Sequence, residues 1–289
     1  MGKQSFWGVL KTAASQWLED RAPRMGAALA YYAVFSIAPL LIIAVAIVGS
    51  VFGRQAVEGR LADQLEFLLG EEGARAVQTM VANADRPGAG LFATIVGVVM
   101  LVLGAMGLFI ELQDVMNTVW KVAPKPGRAI HSFVRDRLLS LVLVLFMAAL
   151  LLISLVVSTV LGSVGSLLGD WTMSIRGQVI HILGSLVVET LFFAMLFRMM
   201  PDANVAWRDV WIGAVLTAGL FTLGKWLIGL YLGQAGIASA YGAAGSLAAL
   251  LVWIYYSAQI LIFGAEFTVA YATRNGAPIV PTGNAVSIS

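Results

Sequence analysis

The sequence predicts an all-α membrane protein with six transmembrane helices, an N-terminal interfacial amphipathic helix and a small outer helical hairpin. Of its 289 residues, 60% are hydrophobic and only 12% are charged, and the mean hydropathy is +0.88. A soluble domain is typically about 45–50% apolar and about 25% charged. Because so few charged side chains cannot cover a water-facing surface, the composition argues against a soluble globular enzyme and excludes a disordered chain.

Six apolar stretches are long enough to cross a bilayer, for which a helix needs about 20 mostly apolar residues. They cover residues 25–52, 91–119, 138–168, 179–200, 210–232 and 247–273. The third has 31 residues. At ~1.5 Å per residue it exceeds the ~30 Å hydrocarbon core, so we expect it to tilt or protrude. Together the stretches predict one transmembrane domain over residues 25–273.

Residues 1–24 precede the first span as a polar segment with one apolar helical face. The apolar positions are Phe6, Trp7, Leu10, Ala14, Trp17 and Leu18. Lys3 and Lys11 lie outside this face, so the pattern predicts a helix that lies in the membrane interface. A water-exposed cap packed on the bundle is the alternative.

The basic residues that flank the spans predict that both termini are cytoplasmic. With six spans and a cytoplasmic N-terminus, twelve of these residues lie on the cytoplasmic side and five on the opposite side. The five are Arg54, Arg60, Arg75, Arg86 and Arg176. Because basic residues accumulate in cytoplasmic connections, this asymmetry fixes the predicted orientation of a multi-pass protein.

Two segments outside the spans carry their own predictions. Residues 53–90 contain two apolar runs at helical spacing, separated by Gly70 and Gly73, and are predicted to form an outer helical hairpin. The hairpin is either a lid over the outer mouth or a solvated connection. Residues 274–289 are polar and contain two prolines, so they are predicted to form a disordered cytoplasmic tail.

No motif in the sequence supports the chemistry of a soluble enzyme. There is no cysteine, and the only histidines are His131 and His181. The segment from Gly219 to Trp226 matches a phosphate-binding loop except at its last position, where a Ser or Thr should bind magnesium. Since it lies inside an apolar span, we interpret it as a helix with packing glycines. We therefore expect no catalytic residue, no metal and no cofactor, and a net charge of +2 indicates no nucleic-acid partner.

Five ionisable residues fall at membrane depth, where a buried charge costs several kcal/mol. They are Glu111, Asp114, Glu189, Lys225 and Glu266. Counted from the outer ends of their helices, Glu189 and Lys225 lie within ~6 Å of the same depth. They are candidates for the poles of a polar cavity, and a static pair that fixes the helix arrangement is an equal alternative. Glu111, Asp114 and Glu266 lie near cytoplasmic helix ends, where interfacial ion pairs are the simpler interpretation.

A cluster of uncharged polar residues lies in the first span. Tyr31, Tyr32 and Ser36 precede Pro39, which frees the carbonyl of Phe35 and is expected to kink the helix. Interrupted spans mark midplane binding sites in transporters, although a proline kink more often only shapes the bundle. The candidate substrate-binding residues are Tyr31, Tyr32, Ser36, Glu189, Lys225 and Glu266.

Small residues recur four positions apart in several spans. The pairs are Gly26 with Ala30, Gly49 with Gly53, Gly213 with Thr217, Ala214 with Ala218, and Gly229 with Gly233. This spacing lets helix backbones approach closely, either within the bundle or between protomers. A homo-oligomer formed through these faces is therefore an open alternative.

Several blocks of sequence are distinctive when they are taken together. They comprise residues 28–39, 116–120, 201–214, 241–245 and 251–266. Their characteristic residues are Pro39, Asn117, Trp120, Pro201, Trp207, Gly242 and Gly245. From about residue 17 to residue 272, the chain resembles the YihY/BrkB family of bacterial inner-membrane proteins.

The resemblance implies six transmembrane helices with both termini cytoplasmic, in the bacterial inner membrane. Members of the family have been linked to serum resistance and to envelope lipid transport, and some carry an old ribonuclease label. This sequence offers no nuclease metal site or basic groove that would fit that label. The family provides no settled ligand residues, so the candidate site rests on membrane physics.

We therefore expect a transport-related, non-enzymatic membrane protein that handles an envelope lipid or another amphiphile, with membrane lipid as its partner. A non-transporting scaffold or envelope assembly factor is the alternative. An intramembrane enzyme is the weakest interpretation, and it requires Glu189, Glu266 and a tyrosine to converge on one water-filled pocket.

Overall fold

The computed structural model describes residues 6–36, 106–125, 175–234, 245–274, 279–283 and 285–288. Within these ranges, the side chains of residues 175–181, 229–234 and 245–247 are not described. The predicted outer hairpin, the third span, Pro39 and Gly242 lie outside the described residues, as do parts of the first two spans.

The described residues are mostly helical, in agreement with the predicted fold class. The helices are α1 (Phe6–Glu19), α2 (22–36), α3 (106–119), α4 (Ile175–Met199), α5 (Trp207–Gln234) and α6 (Gly245–Arg274). Among the described residues, three helical segments are long and apolar enough to cross a membrane. They are Ile182–Met199, Trp207–Ile228 and Ala248–Arg274, with mean hydropathies of 1.8, 1.5 and 1.7.

The chain divides into two compact units. The first comprises Met1–Gln16, Met116–Leu220 and Phe263–Ser289, and the second comprises Trp17–Val115 and Phe221–Ile262.

In the first unit, α1 packs against α6 through one edge of its apolar face. Val9 and Ala13 are buried against Phe267 and Ala270 of α6, and the ring of Phe6 meets that of Phe267 edge-on at 5.8 Å. Trp7 points away from this contact and is 77% exposed. The predicted location of α1 in the membrane interface stays a prediction.

A reciprocal pair of Gly–Thr contacts brings α5 and α6 close together in the first unit. A Cβ atom at Gly213 would overlap Thr268 Oγ1 and lie 2.8 Å from Thr268 Cβ; one at Gly264 would overlap Thr217 Oγ1 and lie 2.8 Å from Thr217 Cγ2. Each threonine hydroxyl donates a 2.7 Å hydrogen bond to a carbonyl of its own helix, Thr217 to Gly213 and Thr268 to Gly264. The hydroxyls are thus satisfied locally while each side chain fills the space above the facing glycine.

Among the described residues, four short strands, all in the first unit, form two antiparallel pairs. Strand β1 (Val122–Pro124) pairs with β4 (Ala285–Ser287), and β2 (Ala203–Asn204) pairs with β3 (Val280–Pro281). β1 follows α3 and β2 follows α4, so the segments after both helices pair with the same C-terminal stretch. Lys121 has a φ of 54°, a left-handed conformation that ends α3 and turns the chain into β1.

The prediction of a disordered tail is wrong for residues 279–283 and 285–288. The backbone N–H of Thr282 donates to Asp202 O, and that of Ile288 donates to Lys121 O, both at 2.8 Å. Lys125 Nζ also donates to Gly283 O at 2.8 Å. Pairing with backbone groups left open after α3 and α4 orders this stretch.

We expect Gly213→Ala to lower the free energy of unfolding by about 1–3 kcal/mol, because the added methyl overpacks the α5–α6 contact. The measurement is far-UV circular dichroism of the purified protein in micelles during denaturation with sodium dodecyl sulfate. Gly219→Ala on the same helix is the matched control, since nothing lies within 4 Å of its added Cβ. Thr268→Gly should recover part of the loss in the Gly213→Ala background. Equal effects at Gly213 and Gly219 would contradict the close contact.

We expect Ala123→Cys and Val286→Cys to form a disulfide together, because these residues are direct partners in the β1–β4 register. The chain has no native cysteine to interfere. After mild oxidation, thiol labelling with maleimide-polyethylene glycol followed by gel electrophoresis should show loss of both thiols. The control pair, Ala123→Cys with Val280→Cys, joins strands that are not partners. Equal protection of both pairs would disprove the register.

Candidate functional site

The predicted substrate-binding residues fall in both units of the chain. The first unit contains Glu189 and Glu266, and the second contains Tyr31, Tyr32, Ser36 and Lys225.

Glu266 is the most deeply buried acidic residue of the candidate set, with 0% of its surface exposed. It lies on α6 between Gly264 and Thr268, two of the α6 residues that contact α5. Its burial differs from the expectation of an acid near water at a helix end. A carboxylate at such a position requires a compensating partner or a bound proton. Among the residues proposed from the sequence, it is therefore the strongest candidate for proton exchange or ligand recognition.

Glu189 is the second buried acid of the first unit. It lies on α4 within the apolar segment Ile182–Met199 and is 7% exposed. Ten residues separate it from Met199, or ~15 Å along the helix, which is about half of a ~30 Å hydrocarbon core. The neighbouring Thr190 donates its hydroxyl to Leu186 O at 2.7 Å, so that hydroxyl proton is used within the helix.

In the second unit, the polar residues of α2 form an aromatic cluster. The ring of Tyr31 lies 5.5 Å from that of Tyr32 and 5.0 Å from that of Phe35. Tyr32 packs against α3, where a Cβ at Gly107 would lie 2.6 Å from its ring. Tyr31 is 59% exposed, whereas Ser36 is buried and donates its hydroxyl to Ala33 O at 3.0 Å. Tyr31 therefore belongs to the surface of the unit, and Ser36 retains only acceptor capacity.

Lys225 occupies an aromatic environment on α5 in the second unit. Its Nζ atom lies 5.5 Å from the centre of the Phe221 ring, and that ring meets Trp253 of α6 edge-on at 6.0 Å. The side chain of Lys225 is half-buried. Contact between a cation and a ring face stabilises the ammonium group where water is scarce. The predicted pairing of Lys225 with Glu189 stays a prediction, because the two residues belong to different units.

A polar contact that the sequence did not single out joins the last turn of α3 to the segment after α4. Asn117 Nδ2 donates to Asp202 Oδ2 at 3.0 Å, and Asp202 N donates to Asn117 Oδ1 at 2.8 Å. Asn117 is buried, and so is Pro201, which precedes Asp202 in the chain. Because 85 residues separate Asn117 from Asp202, no local pattern predicts the pair.

Two tryptophans lie at the corner of the first unit where the ends of α3 and α4 meet the start of α5. The fully buried Trp120 packs against Phe197 of α4, with ring centres 5.9 Å apart. The guanidinium of Arg198 lies 5.7 Å from the centre of the Trp207 ring, and Arg198 Nη1 also donates to Val205 O. These contacts hold the end of α4 against the end of α3 and the start of α5.

The remaining charged candidates lie on α3, where Glu111 is half-buried and Asp114 is exposed. Gly245 begins α6. Over the part of the chain that the structure describes, no three His, Cys, Asp or Glu side chains gather closely enough to hold a metal ion.

Comparison with known proteins identifies the family. A sequence model of the family described as Virulence factor BrkB matches residues 13–288. The chain belongs to the BrkB family. This match confirms the resemblance that the sequence blocks indicated. The curated relatives of the chain are named as membrane proteins. No solved structure matches the chain.

The relatives of this BrkB-family chain are longer proteins. A UPF0761 membrane protein of Alkalilimnicola ehrlichii is 30% identical over 265 residues, which cover 90% of this chain and 57% of the relative. One from Stenotrophomonas maltophilia is 27% identical over 267 residues, covering 91% and 61%. One from Pseudomonas aeruginosa is 26% identical over 253 residues, covering 87% and 60%. The chain thus spans about three-fifths of the length of these curated relatives.

The residues that carried the resemblance to the BrkB family have structural contacts where they are described. Asn117, Trp120, Pro201 and Trp207 all lie at the corner formed by the ends of α3 and α4 and the start of α5. This corner positions the helix that carries Glu189. It therefore supports α4 and, through that helix, the position of Glu189.

We expect Asn117→Ala to lower the free energy of unfolding of this BrkB-family protein by about 1–3 kcal/mol, since it leaves partly buried groups of Asp202 unsatisfied. Asn117→Asp should lower it further, because the amide donor is replaced by a second carboxylate. Denaturation in micelles followed by circular dichroism measures both effects. A double-mutant cycle with Asp202→Ala isolates the side-chain hydrogen bond.

Ser185→Ala is the control for this series. Ser185 donates to Ile182 O at 2.9 Å within an exposed part of α4, so its removal should change stability by no more than about 0.5 kcal/mol. If the losses of unfolding free energy caused by Asn117→Ala and Asp202→Ala were strictly additive, the contact between the two side chains would contribute nothing to stability.

Proposed function

We propose that this BrkB-family membrane protein is a transport-type protein of the bacterial inner membrane that handles an envelope lipid or another amphiphile. The proposal includes six transmembrane helices, two cytoplasmic termini, an interfacial helix over residues 1–24 and no enzymatic step. The observation that carries it is the complete burial of the Glu266 carboxylate in an apolar helix of membrane-spanning length.

The physical argument starts from the cost of placing an ionisable group inside a membrane protein. Such a group costs ~2.5–3.5 kcal/mol at mid-membrane even on the lower scales, and intramembrane acids commonly mark substrate or proton pathways. Glu266 and Glu189 are two such acids on separate helices. In the proposed mechanism, one of them exchanges a proton or balances a positive charge while substrate moves.

Lys225 supplies the basic group that the proposed function requires. Its ammonium attracts the anionic head group of the amphiphile, while the aromatic residues around it offer apolar surface to the acyl portion. Tyr31 and Tyr32, which present an exposed and a half-buried ring on α2, are proposed to line the same route.

The alternative of a scaffold or assembly factor depends on small-residue faces that remain open to a partner. Several of these faces are already covered by this chain: Gly26 lies against Gln259, and Ala214 and Ala218 are fully buried. A scaffold or homo-oligomer would therefore have to use the remaining faces, such as Gly49 with Gly53, which lie outside the described residues. This makes the transport-type proposal the better supported of the two.

We expect Glu266→Gln and Lys225→Met each to reduce lipid translocation by about tenfold or more, since each removes a charge that the proposed function requires. The assay uses purified protein in vesicles of phosphatidylethanolamine and phosphatidylglycerol that contain phosphatidylglycerol with a fluorescent nitrobenzoxadiazole label. Dithionite, added outside, bleaches label that has crossed to the outer leaflet.

Lys11→Met is the matched control for the charge removal, because Lys11 is an exposed lysine on α1. It should translocate the labelled lipid at the wild-type rate. Undiminished translocation by folded Lys225→Met and Glu266→Gln proteins would refute the assigned residues. A wild-type rate no higher than that of protein-free vesicles would refute handling of this lipid class.

A further inference from the structure

A row of exposed residues winds slowly around α5 along almost its whole described length. Its members up to Trp226 recur every three or four residues, Leu227 follows directly, and all are uncharged: Trp207, Trp211, Val215, Gly219, Leu223, Trp226 and Leu227. The opposite face, which includes Ala214, Thr217 and Ala218, is fully buried. The exposed residues are called the α5 stripe below.

The tryptophans of the α5 stripe lie at its two ends. Trp207 is 46% exposed and packs beside Trp211, with ring centres 6.3 Å apart, whereas Trp226 is 63% exposed. Nineteen residues separate Trp207 from Trp226, or ~28 Å along the helix, close to the ~30 Å thickness of the hydrocarbon core. Tryptophan is enriched at both membrane–water interfaces, so this spacing matches a pair of interfacial anchors.

The basic residues of α5, like its tryptophans, lie near the two ends of the stripe. Arg208 is exposed beside Trp207, and Lys225 lies beside Trp226. Between these two cations the only charged residue is Asp209, which is buried and lies off the stripe. Cations at both ends complement the phosphate groups of two lipid head-group layers, and the uncharged stretch between them suits acyl chains.

We propose that the α5 stripe is a lipid-contacting surface, that Trp207 and Trp226 mark the two boundaries of the hydrocarbon core, and that Lys225 lies at the level of the lipid phosphates. The occupant of the surface is bilayer lipid. The inference does not rest on transport. It places Lys225 at a membrane boundary, where its flexible stem lets the ammonium bind a phosphate.

Single-cysteine variants test this placement directly, because the natural chain has no cysteine. Nitroxide labels are attached at Arg208→Cys, Val215→Cys, Gly219→Cys and Lys225→Cys in protein reconstituted into phosphatidylglycerol-containing vesicles. Electron paramagnetic resonance then measures label collisions with oxygen, which concentrates in hydrocarbon, and with a water-soluble nickel chelate. Gly219 and Val215 are exposed, so labels there should not disturb packing.

The expected result is a maximum in the oxygen-to-nickel collision ratio at Val215 and Gly219, and loss of that maximum at Arg208 and Lys225. Collisions with the nickel chelate at Val215 and Gly219 would show a water-filled path and overturn the proposal. Few collisions with either reagent would show that protein covers the stripe, and spin–spin broadening would identify a second copy of the chain. A deep, chelate-protected label at Lys225 would overturn the assignment of that residue to the head-group level.

Discussion

Close approach of α5 and α6 is the constraint on which the first unit depends. Gly213 and Gly264 have no side chain, so each accepts the threonine of the facing helix. The approach buries the segment of α6 that contains Glu266, and it presents Phe267 and Ala270 as the surface on which α1 packs. This pair of Gly–Thr contacts thus determines both the position of the N-terminal helix and the environment of the buried acid.

Much of the fold could be predicted from the sequence because membrane insertion acts on local composition. Apolar segments of sufficient length indicate spans without knowledge of their neighbours, and three of the six have such segments among the described residues. The family could be identified for a similar reason, since its characteristic blocks are contiguous. The match over residues 13–288 then showed membership directly.

The contacts that could not be predicted are those between residues distant in sequence. Asn117 and Asp202 are 85 residues apart, and strands β1 and β2 pair with a tail whose polar composition indicated disorder. Glu266 shows the same limit. Its position near a helix end suggested nearby water, yet packing of other segments buries its side chain completely. Position along one helix gives the depth of a residue, whereas burial depends on which helices surround it.

The pairing of the tail also has a consequence for biosynthesis. Residues 279–288 are synthesised after α6, so the segments that follow α3 and α4 have no strand partners until the last described helix has left the ribosome. The corner around Asn117 therefore closes late, when all the described helices are available. A chain interrupted after α6 would keep its apolar segments but leave backbone donors and acceptors open at this corner, a difference that cellular quality control can recognise.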